Sequence, residues 1–184
     1  MSNLNQFIEE ELKKRKADYL SSPTYLLEHY HNEKENVEAY NGRQLLEMLQ
    51  NADDASETAK EKRVLIKLIG NELVISNNGE PFNEDGFSSI IYSNASPKTM
   101  QQNKIGQKGL GFRSILSWAY EVIINSGGTK LAFSESIAKA FLQNLISESD
   151  KVAKFIKQKS KSKFPIATLR IPKLLNGIDR KSVV

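Results

Sequence analysis

The sequence predicts an α+β fold, in which a mostly antiparallel sheet has helices packed on one face. Two pairs of short apolar runs, each joined by a glycine-containing turn, are typical of β-hairpins. Helical patterns precede, separate and follow the hairpins instead of alternating with single strands, and this order disfavours a doubly wound parallel sheet. The chain has 184 residues, 39% hydrophobic and 26% charged. That length and composition suffice for one domain with its own core.

The N-terminal part is predicted to be helical. Apolar residues at helical spacing predict helices over residues 3–20 and about 24–40, with a break at Pro23. His29 and His31 lie two positions apart on the second helix, so their side chains do not share a face. We therefore expect both histidines at the surface rather than in a metal site.

The remaining elements are predicted from the period of their apolar residues, which is near 2 in strands and near 3.6 in helices. We expect, in order, a helix after Gly42, a hairpin of residues 63–69 and 72–76, a loop over 77–82, a short helix over 83–92, a helix opened by the glycines at 106–111, a hairpin of 120–125 and 129–133, helices over 134–147 and 149–159, and a last strand over 166–171 that Pro172 ends.

The helix after Gly42 carries the first chemical signal. Its apolar stripe is formed by Leu45, Met48, Leu49 and Ala52. At about 100° per residue, Glu47, Asn51 and Asp54 fall within ~60° of one another, opposite that stripe. A carboxylate and an amide one turn apart suit a general base beside a metal ligand. The alternative is an ordinary solvated helix face.

A glycine-rich turn further along the chain is the second signal. The spacing of Gly106, Gly109 and Gly111 fits neither the dinucleotide-binding fingerprint nor a P-loop. Three glycines let backbone N–H groups approach an anion closely, and the helix start behind them adds partial positive charge. Lys108 adds a full charge. The alternative is a helix–loop joint that binds nothing.

Together these segments resemble the successive ATP-site boxes of the GHKL superfamily, which includes gyrase, the heat-shock chaperone ATPases, histidine kinases and MutL. The boxes are Glu47 to Ala55, Asn77-Asn78-Gly79, and Gly106 to Phe112. The run Leu-Leu-Glu-Met-Leu-Gln-Asn-Ala-Asp-Asp-Ala is most similar to the chaperone-like branch typified by sacsin and its bacterial relatives. The resemblance spans roughly residues 40–172. It implies a Bergerat ATP-binding fold, an α/β two-layer sandwich, with ATP and Mg²⁺ as cofactors.

The resemblance also implies roles for individual residues. Glu47 matches the general base that polarises the water attacking the γ-phosphate, and Asn51 matches the residue whose side-chain oxygen ligates Mg²⁺. Asp54 matches a supporting polar position on the same face. The other family positions are Asn77 and Gly79 at the adenine box, Ser96 and Lys98 in the lid, Gly106, Gln107, Lys108, Gly109, Leu110, Gly111 and Phe112 at the phosphates, and Thr168 on a strand near the adenine.

Two positions depart from the family pattern. Asn77 stands where the family has an aspartate that accepts a hydrogen bond from the adenine amino group. An amide oxygen still accepts, but more weakly than a charged carboxylate, so we expect weaker ATP binding and less secure selection of adenine over guanine. Pro97, between Ser96 and Lys98, is unusual for the lid.

The resemblance further implies a domain organisation. We expect one ATP-binding domain over residues 1–184, with N-terminal helices over 1–40, a nucleotide-binding core over 41–172 and a lid over 93–105. In the chaperone and MutL branches a cation from the following domain reaches the γ-phosphate, and dimerisation helps the lid to close. We therefore expect this chain to be the N-terminal part of a larger protein, with a homodimer as a candidate assembly and with slow or incomplete ATP hydrolysis without its downstream domains.

Two other functions stay open. One is a module that senses ATP or ADP by binding without hydrolysis. The other is a nucleic-acid-binding domain that uses the lysines of residues 151–163, although the net charge is only +4 and a solvated helix end is the simpler interpretation. The chain has no Cys, no apolar run of the ~18 residues that a membrane span needs, and no signal-peptide pattern, so we expect a cytoplasmic protein without a membrane partner.

Overall fold

The computed structural model describes residues 3–39, 42–92, 110–162 and 164–175. These residues form a mixed α/β structure with small antiparallel sheets. The elements are α1 (Asn3–Ser21), α2 (Thr24–Ala39), α3 (Gln44–Ala55), β1 (Val64–Ile69), β2 (Glu72–Asn77), α4 (Glu84–Ile91), α5 (Leu110–Arg113), a 3₁₀ turn (Ser114–Ser117), β3 (Glu121–Ser126), β4 (Thr129–Ser134), α6 (Glu135–Glu148), α7 (Asp150–Lys159), a second 3₁₀ turn (Thr168–Arg170) and β5 (Lys173–Leu174). No helix in the described ranges is long and apolar enough to cross a membrane.

Side-chain caps explain where three of the helices begin. Asn83 accepts a hydrogen bond from the Gly86 N–H at the start of α4, at 2.9 Å. Ser134 and Ser149 act in the same way at the starts of α6 and α7. Such caps satisfy backbone N–H groups that have no partner within the helix. The helices predicted over 83–92, 134–147 and 149–159 are confirmed within a residue or two.

The strands form two separate sheets. In the first, β1 and β2 pair antiparallel from Val64 opposite Asn77 to Ile69 opposite Glu72. In the second, β4 lies between β3 and β5 and pairs antiparallel with both. Both predicted hairpins are therefore confirmed. The predicted two-layer sandwich with one continuous sheet is not confirmed by the described residues, because their two hairpins do not join.

The β1–β2 hairpin is unusual in its exposure. Apolar side chains occupy both of its faces, yet Leu68 is 73% exposed and Leu65 is 48% exposed. By contrast, every residue of β4 except Lys130 is buried. α3 packs against β2. The hairpin thus contributes little to the core and is attached to the domain mainly through α3.

Two hydrophobic clusters form the core, and α1 joins them. Ile8 belongs to the first cluster and Tyr19 to the second, and both side chains are fully buried. The first cluster also contains Phe87, Ile90, Ile91, Phe112, Val122, Leu131, Phe133 and Leu169. The second also contains Leu26, Ala138, Leu142, Leu145, Val152, Ile156, Ile166 and Ile171. Since Ile8 and Tyr19 are separated by about three helical turns, one face of α1 serves both clusters.

The prediction of a last strand over residues 166–171 is wrong. Residues 168–170 form a 3₁₀ turn, and the strand that pairs with β4 is Lys173–Leu174, which follows Pro172 instead of ending there. The reason is a buried side chain from α2. The Glu33 carboxylate accepts the N–H groups of Thr168 and Leu169, at 2.5 and 2.9 Å, so those donors are not available to a neighbouring strand.

The prediction that His29 is a surface residue is also wrong. His29 is half-buried, and its Nδ1 lies 3.0 Å from the hydroxyl of the fully buried Tyr19. Its ring stacks on Tyr25, with centroids 5.9 Å apart. Burial first, and nearby guanidinium groups second, lower the pKa of His29 to about 3. His31 is exposed, as predicted.

The lowered pKa of His29 predicts a pH-dependent stability. In the unfolded chain a histidine takes up a proton near pH 6.5, whereas in the folded chain His29 stays neutral down to about pH 3. Between these values the unfolded state binds one more proton, so the free energy of unfolding falls as the pH falls from 6.5 towards 3. Denaturant unfolding at several pH values should show that the free energy of unfolding falls less steeply with decreasing pH for His29→Asn than for the wild type.

The control is His31→Asn, because His31 is exposed on the same helix. It should keep the wild-type pH dependence. If the free energy of unfolding depends on pH equally steeply in His29→Asn and in the wild type, the burial of a neutral His29 is contradicted.

Candidate functional site

α3 carries the predicted catalytic and metal-binding residues. Glu47 is half-buried, and Asn51 and Asp54 are exposed. The apolar stripe differs from the prediction, since Gln44 is fully buried while Leu45 is 39% exposed. Thus the buried side of α3 is turned towards Gln44, and the face of Glu47, Asn51 and Asp54 flanks it instead of lying opposite to it.

A partly buried hydrogen bond explains this rotation of α3. The side-chain amide of the buried Gln44 donates to the Ser117 hydroxyl at 2.7 Å, and that hydroxyl donates to the Ser114 carbonyl, also at 2.7 Å. Met48, one turn after Gln44, packs against the first core cluster. A buried polar residue with a hydrogen-bond partner therefore takes the buried place on α3 that hydrophobic periodicity alone assigned to Leu45.

The loop after β2 packs closely on the C-terminal end of α3. The Glu80 N–H donates to the Ala55 carbonyl at 2.8 Å. A Cβ placed on Gly79 would lie 2.4 Å from both the carbonyl carbon and the oxygen of Ala55. Only glycine permits such an approach without movement of the backbone. Consequently the Asn77-Asn78-Gly79 box is held against the helix that bears Glu47 and Asn51.

The side chain of Asn77 is partly committed within this loop. Its Oδ1 accepts the Gly79 N–H at 2.9 Å, which makes a local turn. A carbonyl oxygen has two lone pairs, so this contact leaves one acceptor site. The side chain of Asn78 bonds to the Arg63 N–H and the Glu61 carbonyl, so it links the loop to the start of β1.

The segment that follows the glycine-rich turn also packs on α3. Leu110, Gly111 and Phe112 belong to α5, and α5 contacts α3, α2 and α4. Phe112 is buried in the first hydrophobic cluster, so its side chain is a core residue. The chain that leaves Gly109 therefore enters the described structure beside α3.

Several predicted site residues lie outside the described ranges. They are Ser96, Lys98, Gly106, Gln107, Lys108 and Gly109, and the predicted lid over 93–105 lies outside them as well. Their roles stay predictions. The residues on both flanks, up to Tyr92 and from Leu110 onwards, are described.

Thr168 occupies a different setting from the other predicted residues. It lies in a 3₁₀ turn and lines an open cavity of about 390 Å³. The lining residues come from α2, the first 3₁₀ turn, α6 and residues 162–168, and none of those described belongs to α3. Glu47 and Asn51 are therefore not among the residues that line this cavity, and residues 168–170 form a 3₁₀ turn instead of the strand that the resemblance implies.

The described residues include no group of three or more His, Asp or Glu side chains that could hold a metal ion. A Mg²⁺ ion at Asn51 would thus take most of its ligands from elsewhere. Mg²⁺ in nucleotide sites keeps several waters and is bound by one or two protein oxygens together with substrate phosphates. A single amide oxygen on α3 is compatible with that manner of binding.

A buried cluster of charged residues was not predicted from the sequence. Glu33, Arg113, Arg15 and Arg170 are each at most 6% exposed. Burial raises the pKa of Glu33, although its two backbone hydrogen bonds and nearby arginines oppose the rise. Burial lowers the pKa of Arg113 and that of Arg170, in each case to about 10. One signal was available, since Glu33 falls in line with Leu26, Tyr30 and Val37 on the apolar side of α2.

Comparison of the chain with protein-family models, with curated proteins and with solved structures gives no match in any of the three. A function therefore has to be inferred from the residues and contacts described above.

The close contact of Gly79 with α3 predicts the effect of a substitution. Gly79→Ala places a methyl group against the Ala55 backbone, which has no flexible side chain to move aside. We expect a loss of about 1–3 kcal/mol or more in the free energy of unfolding, measured with denaturant. Gly70→Asn is the control, because Gly70 has nothing within 4 Å and a positive φ that asparagine tolerates. Equal stability of both variants would contradict the packing of this loop on α3.

Proposed function

We propose that this chain is a Mg²⁺-dependent ATP-binding domain of the GHKL type, from the chaperone-like branch that resembles sacsin, and that it hydrolyses ATP to ADP and phosphate. One observation supports the proposal most directly. The box after β2 and the segment that follows the glycine turn both contact α3, the helix that carries Glu47 and Asn51. Segments far apart in the sequence thus meet on the one helix on which the resemblance needs them.

The burial of Glu47 and Asn51 suits their proposed roles. A half-buried carboxylate at Glu47 still reaches water, as a base that polarises an attacking water requires. Asn51 lies one turn further on and is exposed, so its side-chain oxygen is free to face a magnesium-bound triphosphate. Asp54, also exposed on this flank, adds a further acceptor for metal-bound water.

The adenine and phosphate sites are proposed beside α3, where two different segments contact it. Near its C-terminal end, Asn77 keeps one acceptor lone pair for the adenine amino group. On the side where α5 packs, the backbone N–H groups of Gly106, Gly109 and Gly111, with Lys108, would hold the phosphates. The Bergerat sandwich, the lid, the downstream domains and a homodimer belong to the same proposal.

A binding module that does not hydrolyse ATP is the second candidate, and the exposure of α3 favours it. Catalysis of phosphoryl transfer depends on positioning and on electrostatic stabilisation, which are stronger where water is excluded. Asn51 and Asp54 are both exposed in the described structure. Binding without turnover is compatible with such a site.

The lysines of residues 151–163 give little support to nucleic-acid binding. Lys151 donates to the Ser21 carbonyl at 2.5 Å, which ties α7 to the end of α1. Phe155, the aromatic residue within α7, packs against the second hydrophobic cluster. α7 thus buries its apolar side, and its lysines form a solvated face.

Substitutions on α3 test the proposal. Mg·ATP should raise the melting temperature of the wild type, because a ligand that binds only the folded state stabilises it. Asn51→Ala should abolish the Mg²⁺-dependent part of that rise. Gln50→Ala, the exposed neighbour on the same helix, should leave it unchanged. No rise with Mg·ATP in the wild type would contradict ATP binding.

Turnover separates hydrolysis from binding alone. Glu47→Ala should keep the affinity for Mg·ATP and lose phosphate release by about 10²-fold or more, since removal of a general base typically costs 10²–10⁴-fold. The measurement is single-turnover phosphate release. If Glu47→Ala releases phosphate at the wild-type rate, the proposed role of Glu47 is contradicted. If the wild type binds ATP but releases no phosphate, the non-hydrolysing module is favoured.

A further inference from the structure

We propose that Glu33 and Arg113 are positioning residues, which hold α5 in place against α3 and so set the affinity for Mg·ATP without touching the nucleotide. The inference rests on the proposed function. It concerns two buried side chains that lie in none of the ATP-site boxes.

The Glu33 carboxylate is fixed by backbone donors. Its side chain is 8% exposed, and its two oxygens accept the N–H groups of Thr168 and Leu169, at 2.5 and 2.9 Å. Hydrogen bonds to a buried carboxylate are stronger than those between neutral groups. α2 and the 3₁₀ turn at residues 168–170 are therefore joined at a defined point.

Arg113, on α5, contacts both Glu33 and α4. Its Nη1 lies 4.0 Å from Glu33 Oε2, and its Nη2 donates to the Ile90 carbonyl at 2.6 Å. Ile90 is in the last turn of α4, where carbonyls have no partner within the helix. The Arg113 guanidinium thus ties α5 to α4 by a hydrogen bond and lies at ion-pair distance, without a hydrogen bond, from Glu33 on α2.

Arg113 is well placed to affect α3, the helix that carries Glu47 and Asn51. Arg113 ends α5, two residues after Gly111, and α5 contacts α3. Through the bond to Ile90, Arg113 therefore fixes the last turn of α4 relative to α5.

The charge of Glu33, and not only its shape, matters in this arrangement. Arg15 and Arg170 are buried near Glu33 and Arg113, and the guanidinium of Arg15 lies 4.9 Å from the centre of the Tyr92 ring. Among the described residues, Glu33 is the one buried carboxylate in this cluster. Without the negative charge of Glu33, the three buried guanidinium groups lose a nearby opposite charge, which is energetically unfavourable. α5 is then expected to move away from its place beside α3.

The test uses Glu33→Gln in the full chain, with the dissociation constant for Mg·ATP and the single-turnover rate as readouts. We expect the dissociation constant to rise about tenfold while the rate at saturating ATP stays within about twofold, because Glu33 acts on binding and not on the reacting atoms. Glu35→Gln changes an exposed residue on the same helix and should match the wild type. Glu33→Asp keeps the charge, so its dissociation constant for Mg·ATP should lie between those of the wild type and Glu33→Gln. Glu33→Asp also serves as the test variant if Glu33→Gln fails to fold.

A destabilised control separates positioning from a merely structural role. Leu142→Ala removes a fully buried side chain of the second cluster and should lower the melting temperature while leaving the dissociation constant unchanged. The inference is overturned if Glu33→Gln, or Glu33→Asp in its place, binds Mg·ATP as tightly as the wild type, or if Leu142→Ala weakens binding equally. Failure of the wild type to bind Mg·ATP would instead overturn the proposed function.

Discussion

The buried carboxylate of Glu33 is the contact on which much of this structure depends. It satisfies two backbone N–H groups of the turn at residues 168–170 and faces the guanidinium of Arg113. An unpaired charge at such a depth would be strongly unfavourable, so the helix that carries Glu33 and the segments that surround it have to come together as a unit. The ends of α4 and α5 are placed by the same network, through the bond from Arg113 to Ile90.

α3 is the second organising element, because it is fixed at both ends by contacts that are specific to residue type. Gln44 bonds to Ser117 at its start, and Gly79 permits the backbone of the following loop to touch its last turn. Beside its buried side, α3 carries the half-buried Glu47 and the exposed Asn51. Functional side chains on a helix that is held at both ends are positioned more precisely than side chains on a loop.

The sequence predicted local structure well and long-range pairing poorly. Periodicity and turn residues gave the helices and both hairpins, since these depend on neighbours in the chain. The final strand was wrong because Glu33, far away in sequence, takes the N–H groups of Thr168 and Leu169. The buried side of α3 was misjudged at Leu45 because the partner of Gln44 is on another element. For the candidate site, residue types and spacing pointed to α3 and to the loop at Gly79, which the structure brings into contact, while their roles stay predictions. The buried arginine cluster was not predicted.

Binding of a magnesium-bound triphosphate on α3, as proposed, is tested by paramagnetic broadening of NMR signals with Mn²⁺ in place of Mg²⁺. With ATP present, we expect the strongest broadening at the Asn51 side-chain amide and at the backbone of residues 47–54. The effect should vanish without ATP, because the described residues offer no metal cluster of their own. Broadening centred instead on the carboxylates that line the cavity beside Thr168, or none on α3, would contradict it.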